Sequence, residues 1–308
     1  MTRWLVTGAA GMLGRDVVGL LAARGEDFTP LARADLDITD ASAVAAAIAS
    51  AKPDVVVNCA AWTAVDAAEA HEDEALVINS HGAACLAAAC ADAGAVLVHP
   101  STDYVFDGQA SAPYAEGAAP APRAAYGRTK LAGELAVRAA LPESSYVVRT
   151  AWLYGAHGRN FVHTMLRLAR AGTSPGVVDD QRGQPTWTRD VAAAIHALVS
   201  ADAPAGVYHA TSSGETTWFG LAQEVFRLYQ SAQTEHPQEL QDLQKADSER
   251  TVVSPRPITT AEYPLPAPRP AYSVLGHDAW AAAGIAPIGD WRDALHRAFP
   301  AMLAAGPR

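Results

Sequence analysis

The chain has 308 residues, with 23 basic against 33 acidic side chains and a net charge of −10. That length suits one large domain or two modest ones, and a chain of this size buries roughly three quarters of its unfolded surface without staples. An acidic protein of pI about 5.4 lacks the basic face that displaces counterions, which excludes non-specific DNA or RNA binding. The cysteines Cys59, Cys85 and Cys90 are odd in number and sit among apolar residues, so reduced, buried thiols in a reducing compartment are expected. The N-terminus carries no apolar signal core, and no apolar run approaches the ~20 residues of a membrane span. A cytoplasmic protein with no membrane partner is the expectation.

In chain order, Trp4–Thr7 reads as a strand and Met12–Ala23 as a helix with Leu13, Val17, Leu20 and Leu21 at helical spacing. Phe28–Leu31 is a second strand and Ala41–Ala51 a second helix. Asp54–Asn58 and Ala95–His99 are apolar enough to be central strands buried on both faces. Between them Glu74–Ala93 reads as one long helix closed by Gly94, and Ser145–Arg149 as a fifth strand. Strands alternating with helices predict βαβ units, right-handed crossovers and a doubly wound parallel (Rossmann) sheet, an α/β fold.

Beyond residue 155 the alternation loosens. Phe161–Ala171 and Asp190–Ser200 read as amphipathic helices, and Gly206–His209 as a strand that returns to the sheet. The expected division is a cofactor domain over 1–155, rejoined by about 186–211, and a smaller interleaved substrate lobe made of 156–185 and 212–300. Glu235–Pro257 is polar and reads as a helix end followed by a solvated insertion. Four prolines between Tyr263 and Pro270 predict an extended path.

Gly8, Gly11 and Gly14 have the spacing G-x-x-G-x-x-G between the first strand and first helix, where glycines let backbone approach a pyrophosphate at a helix N-terminus. Dinucleotide binding follows. After the second strand, Arg33 stands where an arginine accommodates a 2′-phosphate, while Asp35 and Asp37 come later and Asp37–Ile38 suits the adenine edge. NADPH is favoured over NADH. Tyr126 and Lys130 form Y-x-x-x-K, a spacing that puts both side chains on one helix face, where an ammonium lowers a phenol's pKa. Ser101 and Thr102 follow the strand Ala95–His99, at the carboxyl edge where ligands of open α/β sheets bind. None of the ten histidines forms a metal-ligand pattern with another residue, so no metal is expected. Asp66, Glu69 and Glu72–Glu74 lie at helix starts, which suits a structural role through the helix dipole.

This order of motifs resembles the extended short-chain dehydrogenase/reductase family. Asn58–Glu69, Ser101–Gly108, Tyr126–Glu134, Arg149–Gly155, Asn160–Phe161, Asp180–Thr186 and Pro266–Leu275 resemble its branch of dTDP-4-dehydrorhamnose reductases, a likeness running from Arg3 to about Phe299. The resemblance implies hydride transfer from NADPH, with NADH possible, to the C4 keto group of dTDP-4-dehydro-L-rhamnose, giving dTDP-L-rhamnose. It implies that Tyr126 protonates the developing alkoxide, Lys130 lowers its pKa and holds the nicotinamide ribose, and Thr102 hydrogen-bonds the carbonyl oxygen. Gly11, Met12 and Leu13 would cradle the pyrophosphate, and Ala60, Ala61, Trp62 and Thr63 would line the cofactor. Asp103, Tyr104 and Trp152 would face the sugar, with Asn160 and Arg269 at the diphosphate.

Two departures stand out. Some relatives hold Mg²⁺ at a subunit contact through glutamates, whereas Arg189 and Arg292 occupy those positions here, so Mg²⁺ is not expected and a monomer or weak homodimer is. The polar stretch from Gln233 to Ser254 is also longer than the family pattern. Two neighbouring functions share these motifs or this fold: dihydrostreptose synthase and a non-catalytic NADP-binding regulatory subunit. The intact Thr102, Tyr126 and Lys130 set argues against the latter.

Overall fold

The β-branched runs of the first half fold into five strands: β1 (Arg3–Thr7), β2 (Asp27–Leu31), β3 (Val55–Asn58), β4 (Val96–Thr102) and β5 (Ser145–Thr150). The computed structural model describes residues 2–235 and 253–305. The edge strand Gly206–His209 joins β5, and the sheet runs edge strand, β5, β4, β3, β1, β2, all parallel. The expected return of that segment to the sheet is therefore observed. Val55, Val56 and Val57 are all buried, as a central strand covered on both faces requires.

Helices pack on both sides. On one face α1 (Met12–Arg24) and α8 (Thr188–Ser200) bring Val17, Leu21, Ile195 and Leu198 onto Trp4 and Val6. On the other, α2 (Ala41–Ala51), capped by Asp40 through the amides of Ser42 and Ala43, joins Leu86 and Cys90 over Leu5, Val56 and Leu97. A separate core gathers Leu166, Leu221, Val225, Leu295 and Phe299 from α7 (Phe161–Arg170), α9 (Trp218–Glu235) and the helix Trp291–Ala304. The helix end expected at Glu235 is the end of α9, whereas the helix Trp291–Ala304 has no counterpart among the elements expected from sequence. The chain winds outward from β1 to β2 and then crosses back to β3, so the crevice at their carboxyl ends is the topological switch point.

Two local differences from expectation have physical causes. The helix expected at Glu74–Ala93 starts at Glu72 and is interrupted: α3 (Val65–Ala70) and α4 (Glu72–Leu76) lead into a π-turn at Val77–His81 before α5 (Gly82–Ala93). The π-turn faces Asn79 inward, where its amide accepts from Trp62 N at 2.8 Å and donates to Trp62 O at 3.1 Å and Thr129 Oγ1 at 3.1 Å. Strand β4 continues through Ser101 to Thr102, because these residues pair with Arg149 and Thr150 of β5. The polar insertion falls largely outside the described residues.

The helix Glu72–Ala93 is long and apolar enough to cross a membrane by composition, at mean hydropathy 1.2, but half of its apolar window is buried inside the fold and three acids open it. It is a core helix. Cys59, Cys85 and Cys90 are free thiols, the last two buried.

Candidate active site

Gly8 leaves β1 with φ +62°, and a Cβ there would lie 2.6 Å from Ala60 N. A Cβ on Gly14 would lie 2.3 Å from Gly8 O, so the first and third glycines serve close packing of loop, strand and helix. Gly11 is the N-cap of α1. It supplies no side-chain cap, and the first turn carries no acid, which leaves the helix N-terminus open to an anion. Gly11, Met12 and Leu13 line a cavity of about 890 Å³. This cradle fits a dinucleotide pyrophosphate: an open helix end, small residues and no competing carboxylate.

The same cavity is lined by Thr102 and Asp103 at the end of β4, and by Tyr126 and Lys130 on α6 (Ala125–Ala140). α6 begins one residue before Tyr126, and Glu69 of α3 caps it by accepting from Ala125 N at 2.8 Å. Arg128 on α6 pairs with Glu72 of α4 at 2.6 Å. The acids assigned a structural role from sequence thus anchor the start of the helix that carries Tyr126. Gly127 and Gly133 allow that helix to seat, since a Cβ would lie 2.1 Å from Tyr104 O at the first and 2.2 Å from Asn79 O at the second.

Lys130 is 3% exposed. Its Nζ donates to Pro100 O at 2.8 Å and faces His99 Nε2 at 3.4 Å. Burial brings its ammonium down to about 8, against Glu134 and Cys59, which favour the charged form. His99 is itself buried and lies well below the usual histidine range, first through burial and then through Lys130. Behind it Asn58 Oδ1 accepts from Thr7 Oγ1 at 2.7 Å and from Ala60 N at 3.2 Å, and its amide nitrogen faces His99 Nδ1 at 3.3 Å.

The hydroxyl of Tyr126 differs from expectation. Burial, and then the charge of Asp103, raise its pKa above 10, while the Thr102 hydroxyl facing it works the other way. Tyr126 is thereby held as a neutral phenol, the form that can donate a proton. The Lys130 ammonium donates to Pro100 O and faces His99 on the same side of α6. Asp103, 3% exposed, is pushed up to about 6 by burial; its Oδ1 accepts from Thr102 Oγ1 at 3.0 Å. Tyr104 meets Tyr126 edge-on, with ring centres 5.7 Å apart.

Aromatic residues line another part of the cavity. Trp152 sits in the left-handed region at φ +48° and stacks on Trp218 with ring centres 3.6 Å apart; Phe161 leans on Trp218 at 4.7 Å. Gly183 makes room, because a Cβ there would lie 2.5 Å from Trp152 Cε2. Arg269 also lines the cavity and pairs with Asp66 at 2.7 Å.

Of the residues singled out from sequence, Gly11, Met12, Leu13, Ala61, Thr63, Ser101, Thr102, Asp103, Tyr104, Tyr126, Lys130, Trp152 and Arg269 line this one cavity. The others lie elsewhere. Gly8 and Ala60 lie against each other beneath the glycine loop, and Trp62 is clamped by Asn79. Arg33 is exposed after β2, Asp37 accepts from Thr39 N at 2.9 Å, and Ile38 is buried against Gly82. The amide of Asn160 caps α7 through His163 N at 3.0 Å and donates to Gly155 O at 2.9 Å. Arg189 lies over the Trp187 ring and Arg292 over the Trp291 ring, and among the described residues no cluster of three or more His, Cys, Asp or Glu is placed to hold a metal. Trp218, Asn79 and His99 were not picked out from sequence. Only for Asn79 was there a usable signal, an asparagine in a helix interior where it competes with the backbone.

The family model described as RmlD substrate binding domain matches residues 2–303. The chain belongs to that family. A relative from Streptomyces griseus named dTDP-4-dehydrorhamnose reductase is 50% identical over 310 residues, covering 99% of this chain and 96% of the relative. One from Streptomyces niveus named dTDP-4-keto-6-deoxy-D-glucose reductase is 50% identical over 302 residues, covering 98% of each. A solved dTDP-4-dehydrorhamnose reductase from Bacillus anthracis, in complex with NADP, superposes with a TM-score of 0.86 at 36% identity, covering 97% of this chain and 99% of that one. The resemblance stated from the motifs holds, and the Rossmann-like fold of these RmlD-family relatives is the fold seen here.

Proposed function

We propose that the chain is an NADPH-dependent oxidoreductase that reduces the C4 keto group of dTDP-4-dehydro-L-rhamnose to dTDP-L-rhamnose. The observation that carries this is the convergence of the open α1 N-terminus, Thr102, Tyr126 and Lys130 on one cavity that also presents stacked aromatics. The nicotinamide, when bound, supplies the hydride. Thr102 donates to the keto oxygen and orients it. The neutral phenol of Tyr126 gives its proton to that oxygen as negative charge develops, and the ammonium of Lys130 stabilises the phenolate left behind. Asp103 and Tyr104 face the sugar hydroxyls.

Trp152, Phe161 and Trp218 offer flat apolar surface to the deoxysugar and nucleoside, and Arg269 offers a planar fork to the diphosphate once it exchanges Asp66 for phosphate oxygens. The lobe made of 156–185 and 212–300 supplies Phe161, Trp218 and Arg269, and Trp152 comes from the end of the cofactor domain. NADPH is favoured because no carboxylate at the tip of β2 is free for a ribose hydroxyl. Asp35 accepts from Ala32 N at 2.8 Å and Asp37 from Thr39, which leaves Arg33 for a 2′-phosphate.

A second substrate, another dTDP-4-keto-6-deoxy sugar, is favoured by the equal identity of the relative named for one. The test is product analysis by NMR after incubating protein, NADPH and dTDP-4-dehydro-L-rhamnose. Formation of dTDP-L-rhamnose supports the assignment, whereas turnover of only the other keto sugars, a dihydrostreptose nucleotide or no turnover overturns it.

A further inference from the structure

Beneath the reacting end of the cavity lies a buried ion pair that the chemistry above does not use. Glu134 stands one turn beyond Lys130 on α6, on the same helix face. Its Oε2 meets Arg149 Nη2 of β5 at 2.7 Å, and its Oε1 accepts from Arg149 Nε at 3.0 Å and from Ser101 Oγ at 2.5 Å. The two charged side chains are 2% and 4% exposed. Arg149 lies over the Phe106 ring at 5.0 Å and reaches His209 Nε2 at 3.5 Å on the edge strand.

Stability alone does not explain this placement, since the desolvation of two buried ions offsets much of their attraction and apolar pairs often replace them without loss. Position does. Ser101 precedes Thr102, so the pair ties the reactive end of β4 to the helix that carries Tyr126 and Lys130. It also sets the charge around the lysine. The groups that surround Lys130 are Glu134 and Tyr126 from α6, Cys59 after β3, and His99 with the Pro100 carbonyl from β4; Arg149 and His209 lie behind Glu134. Burial keeps Cys59 as a thiol, at about 12, and holds His99 neutral; burial and Arg149 bring His209 to about 3. Among these described groups, Glu134 is the anion.

We propose that Glu134 is a positioning residue: through Arg149 and Ser101 it holds Thr102 against the catalytic helix, and its charge keeps Lys130 an ammonium ion. The catalytic part rests on the function proposed above, while the charge of Lys130 does not. The experiment compares wild type with Glu134→Gln and with Glu134→Met/Arg149→Met, which removes the pair without stranding a charge.

Lys130 is followed by NMR of ¹³Cε-labelled lysine in cofactor-free protein, and the pH profiles of kcat and KM are measured with NADPH and keto sugar. In both variants the lysine titration and the alkaline limb of kcat move down by about one pH unit. kcat falls about tenfold with KM nearly unchanged, as expected when a reacting group is displaced slightly. A folded double variant that keeps the wild-type titration and alkaline limb overturns the proposal, even if its melting temperature has dropped. Should Glu134→Gln fail to fold, the double variant decides. If wild type turns over no keto sugar, the proposed function fails while the NMR titration still decides the role of Glu134.

Discussion

The cavity is lined by two groups of residues built in different ways. Thr102 and Lys130 are held by hydrogen bonds to groups of β4 and its end, with partners 2.8–3.4 Å away, and Tyr126 stands beside them on α6. Trp152, Phe161 and Trp218 are held by ring stacking between a loop residue, α7 and α9. Polar groups held by directional bonds can place a proton to within a few tenths of an ångström, which chemistry requires; stacked rings define a surface and a volume, which suffices for binding. Damage to the first group should therefore appear in kcat, and damage to the second in KM.

The largest effect that can break this contrast is that of Tyr126→Phe. It is expected to lower kcat by about 10²–10⁴-fold with little change in KM for the keto sugar, measured by NADPH consumption. Residual turnover within about tenfold of wild type would remove Tyr126 as the proton donor.

A second effect follows from Lys130, whose value of about 8 lies below the ordinary 10.5. If the ammonium is the working form, kcat falls by about tenfold per unit above that pH. The folded chain gives up this proton earlier than the unfolded chain, so the unfolded chain binds more protons between about 8 and 10.5. This group's burial cost is thus fully present below pH 8 and is relieved as pH rises, so its contribution to stability increases while activity falls. Thermal unfolding and kcat across that range, in wild type against Lys130→Met, separate the two trends.

Trp218→Ala should raise KM for the sugar nucleotide by about tenfold, the scale of one lost stacking platform, with kcat changed less than about threefold. An equal loss in kcat would mean that the aromatic group also orients the reacting carbon. The smallest effect is that of Arg33→Ala, expected to raise KM for NADPH by about threefold to fivefold while leaving NADH unchanged, because an exposed charge pair is worth under about 1 kcal/mol.

Legibility follows the same division. The glycine loop, the β4 end and Y-x-x-x-K are contiguous strings whose spacing encodes a local shape, so Gly11, Thr102, Tyr126 and Lys130 could be named before any fold was known. Trp218 could not, because an aromatic at the start of an amphipathic helix looks the same whether it meets core or ligand. Asn160 also caps α7, a use that depends on where the helix starts and that no motif string shows.

Periodicity and local backbone demands are properties of neighbouring residues, and they were enough for the parallel sheet, the glycine turn into α1 and the placing of Tyr126 and Lys130 on one helix. The direction of the Lys130 ammonium, the raised pKa of Tyr126 and the Glu134–Arg149 pair arise from burial and from groups on other strands. Desolvation and Coulomb interactions act through space, with strengths set by the surrounding dielectric, and packing alone creates that surrounding.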